Sequence, residues 1–90
     1  MNSKRKLNVC FVNISFDEYL SWQKTDKKTV KKINELIEDT RRHPFEGKGK
    51  PEPLKNVLSG YWSRRINQTD RLVYAVTADS IEIISCKYHY

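Results

Sequence analysis

The spacing of apolar residues in the first half of the chain predicts one strand followed by two helices. Apolar and less apolar residues alternate over residues 7–12, which indicates a strand with one apolar face. Ser15 followed three residues later by Glu18 is typical of a capping box, so the first helix is predicted from about Phe16 to Lys24.

The second helix is marked at both ends. Thr25-Asp26 offers an N-terminal cap, and Pro44 ends the helix near Arg42 because the residue before a proline is pushed out of the α region. Between these ends the apolar positions recur at helical spacing: Val30, Ile33, Leu36 and Ile37.

The second half of the chain predicts a loop and three strands. No periodicity is present from Phe45 to Gly60, and loops of this length are usually functional or disordered. Apolar segments follow at Tyr61–Ile66, Arg71–Val76 and Ile81–Cys86, with short polar connections that favour antiparallel hairpins. The predicted fold is α+β: one domain, residues 1–90 with 1–6 as a basic tail, in which two N-terminal helices pack on one face of a mainly antiparallel four- to five-stranded sheet.

The last hairpin gives a prediction about register. A three-residue loop, 77–79, pairs Val76 with Ser80 and places Arg71 opposite Ser85, so Arg71 and His89 share a face of the sheet. A bulge that restores the same face is the alternative.

Composition narrows the class of protein. Lys and Arg number 17 against 11 Asp and Glu, and this net charge of +6 favours nucleic acid or an acidic protein as a partner. No apolar run approaches the roughly 18 residues of a membrane span. Cys10 and Cys86 match no metal-ligand spacing and are expected to be buried free thiols of a reduced, cytosolic protein.

Three residues could do chemistry together. Glu52 lies between Pro51 and Pro53, which hold it on a stiff segment, and His89 can exchange a proton near neutral pH. With Arg71 they supply the base, the acid and the cation that RNA cleavage through its own 2′-hydroxyl requires, without a metal or cofactor. Taken singly, each has a plainer interpretation: a surface glutamate, an exposed histidine and an arginine paired with a neighbouring acid.

Basic residues suggest RNA contacts. Arg64 and Arg65 are adjacent in one strand, so only one of them can face a given site. One side of the second helix is basic; that side is either a solvated helix face or a surface for RNA phosphates. The basic candidates for RNA binding are Lys28, Lys31, Lys32, Lys48, Lys50, Lys55, Arg64 and Arg65.

Several blocks of residues occur in a fixed order along the chain: Asp26-Lys27-Lys28 to Lys31-Lys32-Ile33-Asn34-Glu35-Leu36-Ile37, Pro44-Phe45-Glu46-Gly47-Lys48-Gly49-Lys50-Pro51-Glu52-Pro53-Leu54-Lys55, Leu58-Ser59-Gly60-Tyr61-Trp62-Ser63-Arg64-Arg65-Ile66, Arg71-Leu72-Val73-Tyr74-Ala75-Val76 and Tyr88-His89-Tyr90. Together these blocks resemble the YoeB toxins, which belong to the RelE-like group of bacterial toxin-antitoxin systems. The resemblance runs from about Leu7 to Tyr90.

The resemblance implies a ribosome-dependent endoribonuclease that cuts messenger RNA in the decoding site. It implies Glu52 as general base, His89 as general acid, Arg71 as the group that stabilises the scissile phosphate and Tyr90 as an orienting residue. Lys55, with Arg64 or Arg65, would hold RNA phosphates.

The resemblance also implies partners: a YefM-like antitoxin, the ribosome with its 16S rRNA, the mRNA substrate, operator DNA through the antitoxin complex, and a second copy of the chain. The implied location is the bacterial cytoplasm, with no membrane contact. Two other functions remain open, a ParE-like toxin that inhibits gyrase without catalysis and a plain RNA-binding module.

Overall fold

The computed structural model of the 90-residue chain describes residues 6–88, which form two helices against a five-stranded sheet. The sheet order is β1-β5-β4-β3-β2, and every pairing is antiparallel except β1 with β5. The predicted α+β fold is confirmed. The elements are β1 (Asn8–Phe11), α1 (Ser15–Thr25), α2 (Lys27–Arg42), β2 (Glu52–Pro53), a 3₁₀ turn (Asn56–Leu58), β3 (Trp62–Arg65), β4 (Arg71–Val76) and β5 (Ser80–Ser85).

The core lies between α2 and the two central strands. Alternate residues of β4 and β5 point toward the helices, and the side chains of Leu72, Tyr74 and Ile83 are completely buried. Ile33 and Leu36 of α2 are equally buried against them. The apolar residues that recur at helical spacing in α2 therefore face the sheet, as predicted.

The cap of α2 is confirmed. The Asp26 carboxylate accepts hydrogen bonds from the Thr29 side chain at 2.8 Å and the Thr29 N–H at 3.1 Å. These two bonds lower the pKa of Asp26 below its ordinary value, because they stabilise the charged form.

The capping box predicted for α1 is wrong. Ser15 is the first helical residue, and Ile14 occupies the cap position without a side-chain hydrogen bond. The Glu18 carboxylate instead accepts the Cys86 N–H at 2.8 Å. A contact 68 residues away has therefore replaced the local one.

The loop after α2 contains a short strand that was not predicted. Glu52 and Pro53 form β2, where Glu52 pairs with Ser63 and Pro53 with Trp62. Proline cannot donate to a ladder, but β2 is an edge strand, where proline is tolerated.

The predicted three-residue register of the last hairpin is wrong. Val76 pairs with Ile81, and a bulge between Val73 and Tyr74 then brings Val73 opposite Ser85. The alternative prediction, that this hairpin contains a bulge, is confirmed. Whether Arg71 shares a face with His89 stays a prediction, because His89 lies outside residues 6–88.

The two cysteines differ in burial. Cys86 is buried as expected, and burial, followed by the nearby Glu18 and Asp70 carboxylates, raises the pKa of its thiol to about 12. Cys10 is exposed, which corrects the expectation, because it lies on the outer face of the edge strand β1. Neither helix of the described chain is long and apolar enough to cross a membrane.

Replacing Asp26 with Ala is expected to lower the melting temperature by about 4 to 8 °C, since it removes the cap of α2. Asp26→Asn is the matched control and should keep most of the stability, because asparagine is an equally good cap. Equal melting of wild type and Asp26→Ala would contradict this role.

Candidate active site

The Arg64 side chain is completely buried and every donor of its guanidinium is used. One Nη1 hydrogen bond goes to the Asp39 carboxylate at 2.7 Å, and Nε donates to the Tyr74 hydroxyl at 3.1 Å. The other three N–H groups donate to carbonyl oxygens of the loop after α2, namely those of His43, Glu46 and Lys48. Arg64 therefore has no group left for an RNA phosphate, and its assignment to RNA binding is corrected.

Asp39 completes this buried ion pair. Burial raises the pKa of its carboxyl, but the Lys48 N–H and the Arg64 guanidinium outweigh that effect, so the pKa lies below its ordinary value. The same oxygen that pairs with Arg64 also accepts the Lys48 N–H at 2.9 Å. The loop is thus fastened to α2 and to β3 at one point.

Two glycines allow the loop after α2 to lie close to α2 and β3. Gly47 has a φ of +112°, and a Cβ there would stand 2.2 Å from the Asp39 carboxylate. Gly49 has a φ of +79°, and a Cβ there would stand 2.8 Å from Leu36. A side chain at either position would be strained by the positive φ and would require Asp39, Leu36 or the loop itself to shift.

A basic cleft of about 680 Å³ lies beside this loop. Arg65 and Arg71 pair directly across β3 and β4, and both line the cleft with Lys32 and Lys50. No carboxylate is among the lining residues, which also include Gly49, Ile66, Asn67 and Gln68. Like charges directly opposite each other destabilise a sheet, so this arrangement is suited to an anion that neutralises them.

Glu52 lies on the same face of the sheet as these arginines. It is exposed and pairs with Ser63, two residues before Arg65 in β3, and side chains two apart in a strand share a face. Glu52 does not line the cleft itself. The structure therefore brings the candidate base, Arg65 and Arg71 to one surface.

The other basic candidates lie around this surface. Lys32 is half-buried and lines the cleft, whereas Lys28 and Lys31 are exposed on α2 outside it. Lys48 and Lys55 are exposed in the loop and do not line the cleft either.

The turn between β3 and β4 holds Arg71 in place. Arg71 Nη1 donates to the Asn67 carbonyl at 2.7 Å and to the Asp70 carbonyl at 3.2 Å. The Asn67 side chain in turn accepts the main-chain N–H groups of Thr69 and Asp70, each at 2.7 Å. Hydrogen bonds therefore restrain the turn, and the turn holds one side of the guanidinium.

The end of the described chain is docked on two elements. At Cys86, the N–H group donates to Glu18, and the carbonyl accepts the Trp22 indole N–H at 2.8 Å. At Tyr88, the N–H group donates to the Asp70 carboxylate at 2.6 Å, and the carbonyl accepts the Arg71 N–H at 2.8 Å. His89 and Tyr90 lie outside the described residues.

Sequence reasoning did not find Glu18, Trp22, Asp39 or Asp70 as contributors to this region. Each acts through contacts with residues distant in sequence, which no local pattern reports. Within residues 6–88, no group of three or more His, Cys, Asp and Glu side chains is placed to hold a metal ion.

Comparison with known proteins decides the family. The family model described as "YoeB-like toxin of bacterial type II toxin-antitoxin system" matches residues 11–90. The chain belongs to the YoeB family. It is therefore a toxin of a type II toxin-antitoxin system, and the resemblance found in its sequence is confirmed.

Relatives of this YoeB-family chain include proteins named YoeB from two other bacteria. Toxin YoeB of Escherichia coli K12 is 72% identical over 76 residues, which cover 84% of this chain and 90% of that toxin. The YoeB dimer of Staphylococcus aureus has a TM-score of 0.88 and 53% identity, over 96% of this chain and all of that one. The Staphylococcus aureus YoeB-YefM complex has a TM-score of 0.86 and 52% identity, with the same coverage.

Arg64→Lys is expected to lower the free energy of unfolding by about 3 kcal/mol, because lysine has fewer donors and leaves buried carbonyls without partners. The neighbouring Arg65→Lys is the matched control and should change it by less than about 0.5 kcal/mol, since Arg65 is exposed. Urea unfolding of both variants measures the difference. Similar losses in the two variants would contradict the structural role of Arg64.

Proposed function

We propose that this toxin is an endoribonuclease that cuts messenger RNA in the ribosomal A site and thereby stops translation. The observation that carries the proposal is the shared face of Glu52, Arg65 and Arg71, on which a carboxylate and a pair of opposed arginines project from the same side of the sheet. This combination suits a reaction at a phosphate that needs a base and a concentrated positive charge.

In the proposed reaction the 2′-hydroxyl of the messenger attacks the neighbouring phosphorus. Glu52 removes the proton of that hydroxyl, and Arg71 neutralises the charge that develops on the phosphate oxygens. His89 protonates the departing 5′-oxygen, and Tyr90 orients the nucleotide. The bond between phosphorus and the 5′-oxygen breaks as the bond to the 2′-oxygen forms, and this acid-base chemistry requires no metal ion or cofactor.

The basic residues around the site would hold RNA. Arg65, Lys32 and Lys50 line the cleft and suit the phosphates next to the cut. Lys48 and Lys55 extend this surface along the loop, and Lys28 and Lys31 would contact 16S rRNA from α2. Arg64 is left out because all of its donors are used inside the protein.

The proposed partners follow from the Staphylococcus aureus relatives, which form a YoeB dimer and a YoeB-YefM complex. We propose that this chain likewise dimerises and is neutralised by a YefM-like antitoxin. The net charge of +6 suits an acidic antitoxin. The complex, and not the toxin alone, would bind operator DNA, and the toxin would act on ribosomes in the bacterial cytoplasm.

Incubation with programmed ribosomes is expected to produce new messenger 5′ ends within the A-site codon. Glu52→Gln should slow this cutting by about 10² to 10⁴, because it removes the base while keeping the size of the side chain. Glu35→Gln, on the exposed side of α2, is the matched control and should cut at the wild-type rate.

An absence of new ends with wild-type protein would reject the proposal, and inhibition of gyrase in the same preparation would indicate the ParE-like alternative. Full activity of Glu52→Gln would reject Glu52 as the base.

Binding to ribosomes is expected to weaken steeply with salt, since lysines and arginines that neutralise phosphates release counterions. The triple replacement of Lys28, Lys31 and Lys32 by Ala should reduce the log-log slope by about 2, at about 0.7 for each phosphate contact. Lys6→Ala is the control, because Lys6 already pairs with Glu38 at 2.7 Å. An unchanged slope in the triple variant would make this side of α2 a solvated face.

A further inference from the structure

One short turn holds both Arg71 and the end of the described chain. The carbonyls of Asn67 and Asp70 accept from the Arg71 guanidinium, and the Asp70 carboxylate accepts from the Tyr88 main chain. The Arg71 N–H also donates to the Tyr88 carbonyl, so the main chain of Tyr88 is bound on both sides. Hydrogen bonds made by residues 67–71 therefore determine the position of the Tyr88 main chain relative to Arg71.

Asp70 cannot act on RNA directly. Its side chain is buried, with only 7% of the residue exposed, and both carboxylate oxygens are occupied. Oδ1 accepts the Tyr88 N–H at 2.6 Å, and Oδ2 accepts the Asn67 amide at 3.1 Å. Any effect of Asp70 on the site must pass through these partners.

Tyr88 needs such a restraint. It has a φ of +65°, in the left-handed region, which costs a residue with a side chain about 1 to 2 kcal/mol. Its residue is 64% exposed, so packing of the ring does little to hold it. Two main-chain hydrogen bonds, from the Tyr88 N–H and to the Tyr88 carbonyl, restrain this conformation.

We propose that Asp70 is a positioning residue, whose carboxylate fixes the Tyr88 main chain and through it the start of the terminal pair His89-Tyr90 relative to Arg71. The inference rests on the proposed function, in which His89 is the general acid and Arg71 binds the phosphate. A general acid must come within about 2.6 to 3.2 Å of its oxygen, and a misplacement of about 1 Å costs about 10²-fold in rate.

Two variants of Asp70 test this role. Asp70→Ala removes the acceptor for the Tyr88 N–H and is expected to slow single-turnover cutting at saturating toxin by about 10²-fold. Asp70→Asn keeps a neutral acceptor, which binds more weakly than a carboxylate, so its rate should fall between wild type and Asp70→Ala. Affinity for the ribosome should stay at the wild-type value in both, since Asp70 is buried.

The Tyr88 amide gives a second readout that does not depend on catalysis. Its hydrogen exchange, followed by NMR on the free toxin, should be slow in wild type, faster in Asp70→Asn and fastest in Asp70→Ala. Asp26→Ala is the control for stability alone: Asp26 caps α2 through Thr29 and, within the described chain, its side chain is not hydrogen-bonded to residues 67–71 or Tyr88, so this variant should change neither the Tyr88 exchange nor the rate constant of cutting.

The proposal stands if cutting rate and Tyr88 protection fall in the same order across the variants. It is overturned if Tyr88 exchanges quickly while cutting stays at the wild-type rate, if Tyr88 stays protected in both Asp70 variants, or if Asp26→Ala slows cutting as much as they do. If Asp70→Ala does not fold, the wild type and Asp70→Asn still give the comparison. Failure of the wild type to cut would instead reject the proposed function, and the positioning role would fall with it.

Discussion

The site depends on one interaction, the burial of the Arg64 guanidinium. A charge removed from water is costly unless it is paired and all of its donors are bonded, and Arg64 meets both conditions through Asp39, Tyr74 and three loop carbonyls. Since those carbonyls belong to residues 43–48, the loop must follow one path. A buried ion pair adds little net stability, but here it determines the path of the loop. The path of the loop in turn sets the positions of Lys50 and of strand β2.

The neighbouring arginine has the opposite role because adjacent residues of a strand point to opposite faces. Arg65 faces away from the helices, directly across from Arg71, and this pairing of like charges opposes folding. Such a local conflict is expected where function requires it, and an RNA phosphate between the two guanidinium groups would relieve it. Thus Arg64 of β3 holds the loop that borders the site, and its neighbour Arg65 is the residue proposed to bind RNA there.

Much of the fold could be predicted from the sequence, since periodicity reports which residues face a core. The α2 helix, its Asp26 cap and the three strands after the loop follow from such local patterns. Local patterns could not show that Glu18 binds Cys86 rather than capping α1, nor that Glu52 joins an edge strand despite its flanking prolines. Alternation showed that Arg64 and Arg65 diverge, but which of them is buried depends on where α2 and Asp39 lie.

The central claim is that the site activates the RNA's own 2′-hydroxyl, and the chemical nature of the new RNA ends tests it most directly. Messenger cut on programmed ribosomes should carry a 2′,3′-cyclic phosphate, or its hydrolysed form, on the upstream fragment. The downstream fragment should carry a 5′-hydroxyl that polynucleotide kinase labels without prior phosphatase treatment. A 5′-phosphate on the downstream fragment would show that water is the nucleophile and would contradict the account.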